Sequence, residues 1–148
     1  MNIIIREFTE QDIDEITVLM KYLCSLRNQE FDEEAWRSDL ELKMKEDLNS
    51  EVIVAFEKIT NQVIGMGLCS IKTSNNGRFG YISNLIVKEE KRRTGIGEKL
   101  IRHMIDYFRR NHIQSIRLAL KPNLDEAANL LFTKLGFQEI LRFYELII

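Results

Sequence analysis

Arg92, Gly95 and Gly97 stand in R-x-x-G-x-G spacing inside the stretch YISNLIVKEEKRRTGIGE, Tyr81 to Glu98. An apolar segment that reads as a strand runs into a basic, glycine-punctuated turn, and an amphipathic segment that reads as a helix follows at once. The first turn of a helix carries N–H groups without intrahelical acceptors and a partial positive charge. Glycines there let a ligand come close to the backbone. The arrangement suits a phosphate or pyrophosphate. Arg92 and Arg93 add guanidinium groups beside it, able to contact phosphate oxygens bidentately. The turn is not a dinucleotide fingerprint, whose third glycine would fall at Leu100, and the chain has no G-x-x-x-x-G-K-[ST] run. Taken alone, the glycines also fit a purely structural strand-to-helix turn.

The elements that must position this turn can be read on either side of it. Ile3 to Arg6 predicts a short strand, and Thr9 or Asp12 caps a helix with the apolar stripe Ile13, Ile16, Leu19 or Met20, and Leu23. Asp32 caps a second helix through Trp36, Leu40 and Met44 towards Leu48. Val52 to Lys58 and Val63 to Ile71 read as strands, with Gly65 and Gly67 marking a bend in the latter. Ser74-Asn75-Asn76-Gly77 is a hairpin signal, and Phe79 to Val87, apolar at most positions of both parities, fits a strand covered on both faces. Gly95 to Asn111 predicts a helix with Ile96, Leu100, Met104 and Phe108 in line. Ile116 to Leu120 is a further strand stopped by Pro122. Asn123 caps a last helix that Gly136 ends, and Phe137 to Leu141 and Phe143 to Ile148 read as two closing strands. The fold class is α/β (α+β): a mixed, mostly antiparallel central sheet flanked by helices on both faces.

Composition narrows the function classes. The 148 residues suit one domain, 1–148, with a real core. A net charge of -2 and the lack of a basic helix face argue against a nucleic-acid partner. No apolar run approaches the roughly 18 residues of a membrane span, and Arg6 interrupts the N-terminal apolar run, so a cytoplasmic protein without membrane association is expected. Cys24 and Cys69 read as buried reduced thiols, and no metal site is expected.

A second motif, AANLLFTKLGF from Ala127 to Phe137, follows the phosphate turn. With it, the chain resembles the GCN5-related N-acetyltransferase (GNAT) superfamily over essentially its whole length. The segment LIVKEEKRRTGIGEKLI is similar to that family's acetyl-CoA-binding motif, and Ala128, Phe132 and Leu135-Gly136-Phe137 look like its second motif. The resemblance implies a single GNAT domain that transfers an acetyl group from acetyl-CoA to a primary amine of a small molecule or a protein. Backbone amides of Arg92, Arg93, Thr94, Gly95, Ile96, Gly97 and Glu98 would cradle the pyrophosphate. Leu85, Ile86 and Val87 would pair their backbone with the pantetheine arm, beside a bulge that splays the strand from its neighbour. The Val87 amide would polarise the thioester carbonyl. Asn123 and Asn129 would hydrogen-bond the cofactor arm, and Phe132 would pack near the sulfur.

The sequence departs from the family in its acid and base. Many members carry a tyrosine where Phe132 stands, and often a glutamate on the strand before the turn, where Tyr81, Ser83 and Asn84 are found. Tyr81 and Ser83 are the candidate catalytic side chains of that strand, and Tyr144 offers a hydroxyl from the terminal segment. His103 and His112 read as surface residues, and Lys88 and Lys91 as solvated turn residues. Glu30, Asp32, Glu33 and Glu34 either attract a cationic acceptor or form a solvated helix start, and Phe31 and Trp36 either line an acceptor pocket or fill the core. The departures motivate an alternative, a catalytically weak or inactive acyl-CoA-binding sensor or regulatory module. The apolar terminal strand offers an edge for a homodimer.

Overall fold

Two central stretches buried on both faces, residues 52–55 and 63–67, set the architecture. A computed structural model describes residues 2–46, 49–120 and 126–148, with the side chains of 126 and 127 left aside. The elements are β1 (Ile3–Glu7), α1 (Ile13–Leu26), α2 (Glu33–Lys45), β2 (Ser50–Glu57), β3 (Gln62–Ser74), β4 (Gly77–Val87), α3 (Ile96–Arg110), β5 (Ile116–Leu118) and α4 (Glu126–Lys134). The five strands form one sheet in the order β1-β2-β3-β4-β5. Neighbours are antiparallel except β4 and β5, which are parallel. A parallel pair needs a crossover, and α3 supplies it.

On one face, Ile16, Leu19 and Leu23 of α1 and Leu40 of α2 are buried against Val52, Val54, Val63, Met66 and Ile86 of the sheet. Each such side chain contributes about 1.5–3 kcal/mol of burial. Trp36 packs against this core and its indole N–H donates to Thr17 Oγ1 at 3.0 Å, so it fills the core. The other face belongs to α3, whose Leu100, Met104 and Phe108 are fully buried. Gly65, Gly67 and Gly80 are the reason α3 lies so close. A Cβ on Gly80 would sit 2.7 Å from the Phe108 ring, and one on Gly67 would overlap Met104 Cε. Gly65 and Gly67 thus form a packing window for α3, and Gly67 also lies in the irregular pairing between Met66 and Leu68, where the sequence marks a bend.

Local signals act as expected at several points. Asp32 accepts from the Ala35 amide at 3.1 Å and starts α2. Ser74 pairs with Gly77 across the two-residue turn Asn75-Asn76, closing the β3–β4 hairpin. Asp12 accepts from the Thr9 amide at 2.7 Å and takes the Arg6 guanidinium at 2.6 and 3.1 Å, fastening β1 to the start of α1. Residues 47 and 48, where the second helix was expected to end, lie outside the described residues, as do Pro122 and Asn123.

The chain divides into two compact units, Met1–Leu118 and Ala119–Ile148. The second contains α4, ended by Gly136 at φ +96° and by the Phe137 N–H donating to Phe132 O at 2.9 Å. Phe132 and Phe137 meet edge to face with ring centroids 5.5 Å apart. Residues 137–148 form no strand, so the two closing strands expected from the sequence are corrected. High β-propensity marks a segment that fits a pleated, half-buried surface; it does not provide the hydrogen-bonding neighbour. The edge that suggested a homodimer is absent with them.

Candidate functional site

The site grows out of β4. Met66 pairs with Ile86 and Leu68 with Ser83, so β4 advances three residues while β3 advances two. This bulge is centred on Asn84, which adopts a left-handed φ of +54°, a conformation asparagine tolerates better than most side chains. On the opposite edge, pairing with β5 stops at Ile82 and Leu118. Among the described residues, the last part of β4 therefore has a strand on one side only. The Lys88 N–H donates to Ile64 O at 2.8 Å. Strand alternation then turns the Val87 N–H and C=O away from β3, towards the unpaired side.

Beyond Val87 a tight turn leads to α3. Lys91 N–H donates to Lys88 O at 2.9 Å, Arg92 N–H to Glu89 O at 3.2 Å, and Thr94 Oγ1 to Lys91 O at 2.5 Å. Lys91 is a fixed anchor rather than a solvated residue: its Nζ meets Glu57 Oε2 at 3.1 Å. Glu57 is buried at the end of β2 and also accepts from Thr60 Oγ1 at 2.7 Å. The Thr60 and Lys91 donors hold its carboxyl below the ordinary carboxylate range. Arg93 and Gly95 both take left-handed φ, +65° and +83°. Gly95 is the N-cap of α3, and the Lys99 N–H donates to its carbonyl at 3.1 Å. The amides of Ile96 and Gly97, in the first turn, have no intrahelical acceptor. A Cβ on Gly95 or Gly97 would meet nothing within 4 Å, so among the described residues the space beside these two α-carbons is open.

The expected cradle is thus partly redrawn. The Arg92 amide is already used within the turn, and its guanidinium Nε donates to Val87 O at 3.1 Å. Gly95 and Gly97 border the open space, Thr94 and Ile96 are their chain neighbours, and Leu85, Ile86 and Val87 end the strand that leads into the turn. Glu98 turns its side chain to Arg102 at 2.9 Å.

Tyr81 and Ser83 lie on the α1/α2 face of β4, because the α3 face is taken by Gly80 and Ile82 and alternation places their neighbours opposite. Lys72 Nζ sits 5.1 Å from the Tyr81 ring centroid. Tyr144, Asn129 and Phe132 belong to the second unit, where Phe132 is buried and Asn129 and Tyr144 are exposed. Asn123 is outside the described residues. Burial, and then Arg110, lower the pKa of His103. Cys24 and Cys69 are buried and unpaired by disulfide. Burial, and then Glu51, push the Cys69 thiol up to about 12.

Sequence reasoning missed three participants. Asn84 shapes the bulge, Glu57 anchors the turn, and Arg27, the C-cap of α1, donates from Nη1 to Asn84 Oδ1 at 3.1 Å. Asparagine inside an otherwise apolar strand was the available signal for Asn84. Glu57 and Arg27 act across 34 and 57 residues of sequence, beyond any local pattern.

Residues 17–137 match the model of the acetyltransferase (GNAT) family. The chain belongs to the GNAT family. Among curated relatives, GCN5-related N-acetyltransferase 6, chloroplastic, of Arabidopsis thaliana is 30% identical over 82 residues, which are 55% of this chain and 27% of that protein. The chain thus matches about a quarter of that relative's length. The fold is shared with glucosamine-6-phosphate N-acetyltransferase from Arabidopsis thaliana, at TM-score 0.80 and 15% identity over 99% of both chains. It is also shared with a Clostridium acetobutylicum protein described as a predicted acetyltransferase with acetyl-CoA, at TM-score 0.78 and 19% identity over 99% of this chain and 96% of that one. No group of three or more potential metal ligands occurs among the described residues, and no helix among them is long and apolar enough to cross a membrane.

Proposed function

We propose that residues 1–148 form one acetyl-CoA-dependent N-acetyltransferase domain that acetylates a primary amine by direct attack. The observation that carries this reading is the junction of β4 and α3. A bulged strand, with one edge unpaired among the described residues, leads through a tight turn into a helix N-terminus with open space beside Gly95 and Gly97. A strand edge suits an amide-bearing arm, and helix amides beside an N-cap glycine suit a pyrophosphate. The Clostridium acetobutylicum protein of the same fold, with acetyl-CoA, supports that choice of ligand.

In this reading acetyl-CoA supplies an activated thioester. The Val87 N–H, facing the unpaired side, donates to the carbonyl oxygen as the oxyanion develops. The neutral amine attacks the carbonyl carbon, the carbon–sulfur bond breaks, and the thiolate leaves with the electron pair. A thiol of pKa about 8.5 is a tolerable leaving group even without an acid at Phe132. With no carboxylate from Tyr81 to Asn84, the amine proton passes to water, and Tyr81 and Ser83 are the hydroxyls of β4 that can order it.

The test is amine-dependent thiol release from acetyl-CoA, scored over a panel of amines. Tight coenzyme A binding with no release by any amine would favour the second reading, a non-catalytic acyl-CoA-binding module. That reading draws on the missing tyrosine and glutamate. Phe132→Tyr separates the two: a rate gain means that a working site already exists.

A further inference from the structure

Arg27 is a half-buried cation without an anion. Its Nη1 donates to the neutral amide of Asn84, and no carboxylate pairs with it among the described residues. Arg6 meets Asp12, Arg37 meets Asp14 and Glu33, Arg102 meets Glu98, Arg109 meets Asp106 and Arg142 meets Glu139, while Arg78, Arg92, Arg93, Arg110 and Arg117, which show no ion pair among the described residues, are exposed. A partly desolvated charge is costly until an opposite charge meets it. A guanidinium has several N–H donors in a rigid fork, and Arg27 spends one of them here. Its place is specific. It ends α1 and reaches the bulge of β4, on the side where Tyr81 and Ser83 also stand.

Two members of the acidic cluster at the start of α2 are committed elsewhere, and Glu30 and Glu34 are exposed. Asp32 caps the helix, and Glu33 holds Arg37 at 3.0 Å. At β4, then, the helical face presents a cation. We propose that Arg27 binds an oxyanion of the acceptor, so that the substrate is a small primary amine carrying a carboxylate or phosphate. This rests on the acetyltransferase reading above. Asn84 precedes Val87 by three residues, which at ~3.3 Å per residue spans up to about 10 Å. Anion and reacting amine are therefore several bonds apart, as in an amino-sugar phosphate or an ω-amino acid, and unlike an α-amino acid.

The experiment uses the full chain with acetyl-CoA and matched amines: glucosamine 6-phosphate against glucosamine, 4-aminobutyrate against butylamine, and glycine. Phosphate and carboxylate sources are thereby separated. The expected result is a kcat/KM for at least one anionic amine about 10- to 100-fold above its neutral match. Arg27→Gln collapses that ratio, and Arg27→Lys restores part of it. A purely helix-capping role would lower all amines together and leave the ratio intact, which overturns the proposal. So does a wild-type preference for neutral or cationic amines. If no amine turns over, calorimetry of glucosamine 6-phosphate and 4-aminobutyrate on the coenzyme A-loaded protein decides: absence of binding that Arg27→Gln removes overturns the proposal. Failure to bind coenzyme A at all counts instead against the acetyltransferase reading.

Discussion

Gly95→Ala separates a structural turn from a cofactor cradle. Gly95 caps α3 at φ +83°, and its missing side chain faces open space, so alanine there meets no clash but is forced into a left-handed conformation. That strain costs about 1–2 kcal/mol, or about 2–8 °C in Tm for a chain of this size. Gly77 is a matched control. It sits at φ +112° in the β3–β4 hairpin and a Cβ there also meets nothing within 4 Å, so Gly77→Ala pays a similar strain away from the turn. The two variants should lose similar stability without ligand and differ with it. At a hundredfold excess of coenzyme A over its Kd, wild type gains about 2.7 kcal/mol. A methyl group in the space the phosphate would fill holds it away from one amide, and losing that charge-assisted bond, about 1.5–3 kcal/mol, weakens binding about 10- to 150-fold. At the same ligand concentration the gain for Gly95→Ala then drops to about 1.4 kcal/mol or less, while Gly77→Ala keeps the wild-type gain. Thermal unfolding with and without coenzyme A measures both quantities. Equal ligand gains in the two variants would refute the cradle.

Asp12→Ala should cost about 2 kcal/mol in urea unfolding, less than a fully buried pair because Arg6 is partly exposed. Burial pushes the Asp12 carboxyl up, but the Arg6 and Thr9 donors outweigh it and hold its pKa below the usual value. Its contribution is therefore complete above about pH 4 and lost as pH falls through the lowered folded value, so Asp12→Asn should flatten the acid limb of stability against pH. Neither thiol should react with Ellman's reagent at pH 8 in the native protein, and both should react in denaturant, because Cys24 is buried and the Cys69 thiol is pushed up to about 12. Thr17→Val leaves the Trp36 indole N–H without its acceptor and should cost about 1 kcal/mol. The fluorescence of the single tryptophan should shift with it.

What the sequence made legible was local. The R-x-x-G-x-G spacing, the Asn-Asn-Gly hairpin and the Asp32 cap are each decided by a few adjacent residues, and each stands where expected. The stripe of α1 was legible because periodicity encodes a buried face. The contacts that hold the turn were not, since Lys91 meets Glu57 and Arg27 meets Asn84 only after the sheet brings distant segments together. The glycines of β3 were read only in part for the same reason: Gly67 lies at the irregular pairing, but the glycines also accommodate a helix that comes later in the chain. Residues 137–148 have the composition of strands, but composition does not provide a partner.

Acetyl transfer itself tests the central claim most directly. The full chain, acetyl-CoA and the amine panel would be followed by thiol release and by mass spectrometry of the amine. The account predicts release that requires an amine, one N-acetylated product for each thiol, and a fall in rate for Gly95→Ala when acetyl-CoA is below saturation. Saturable coenzyme A binding with no amine-dependent thiol release would contradict it.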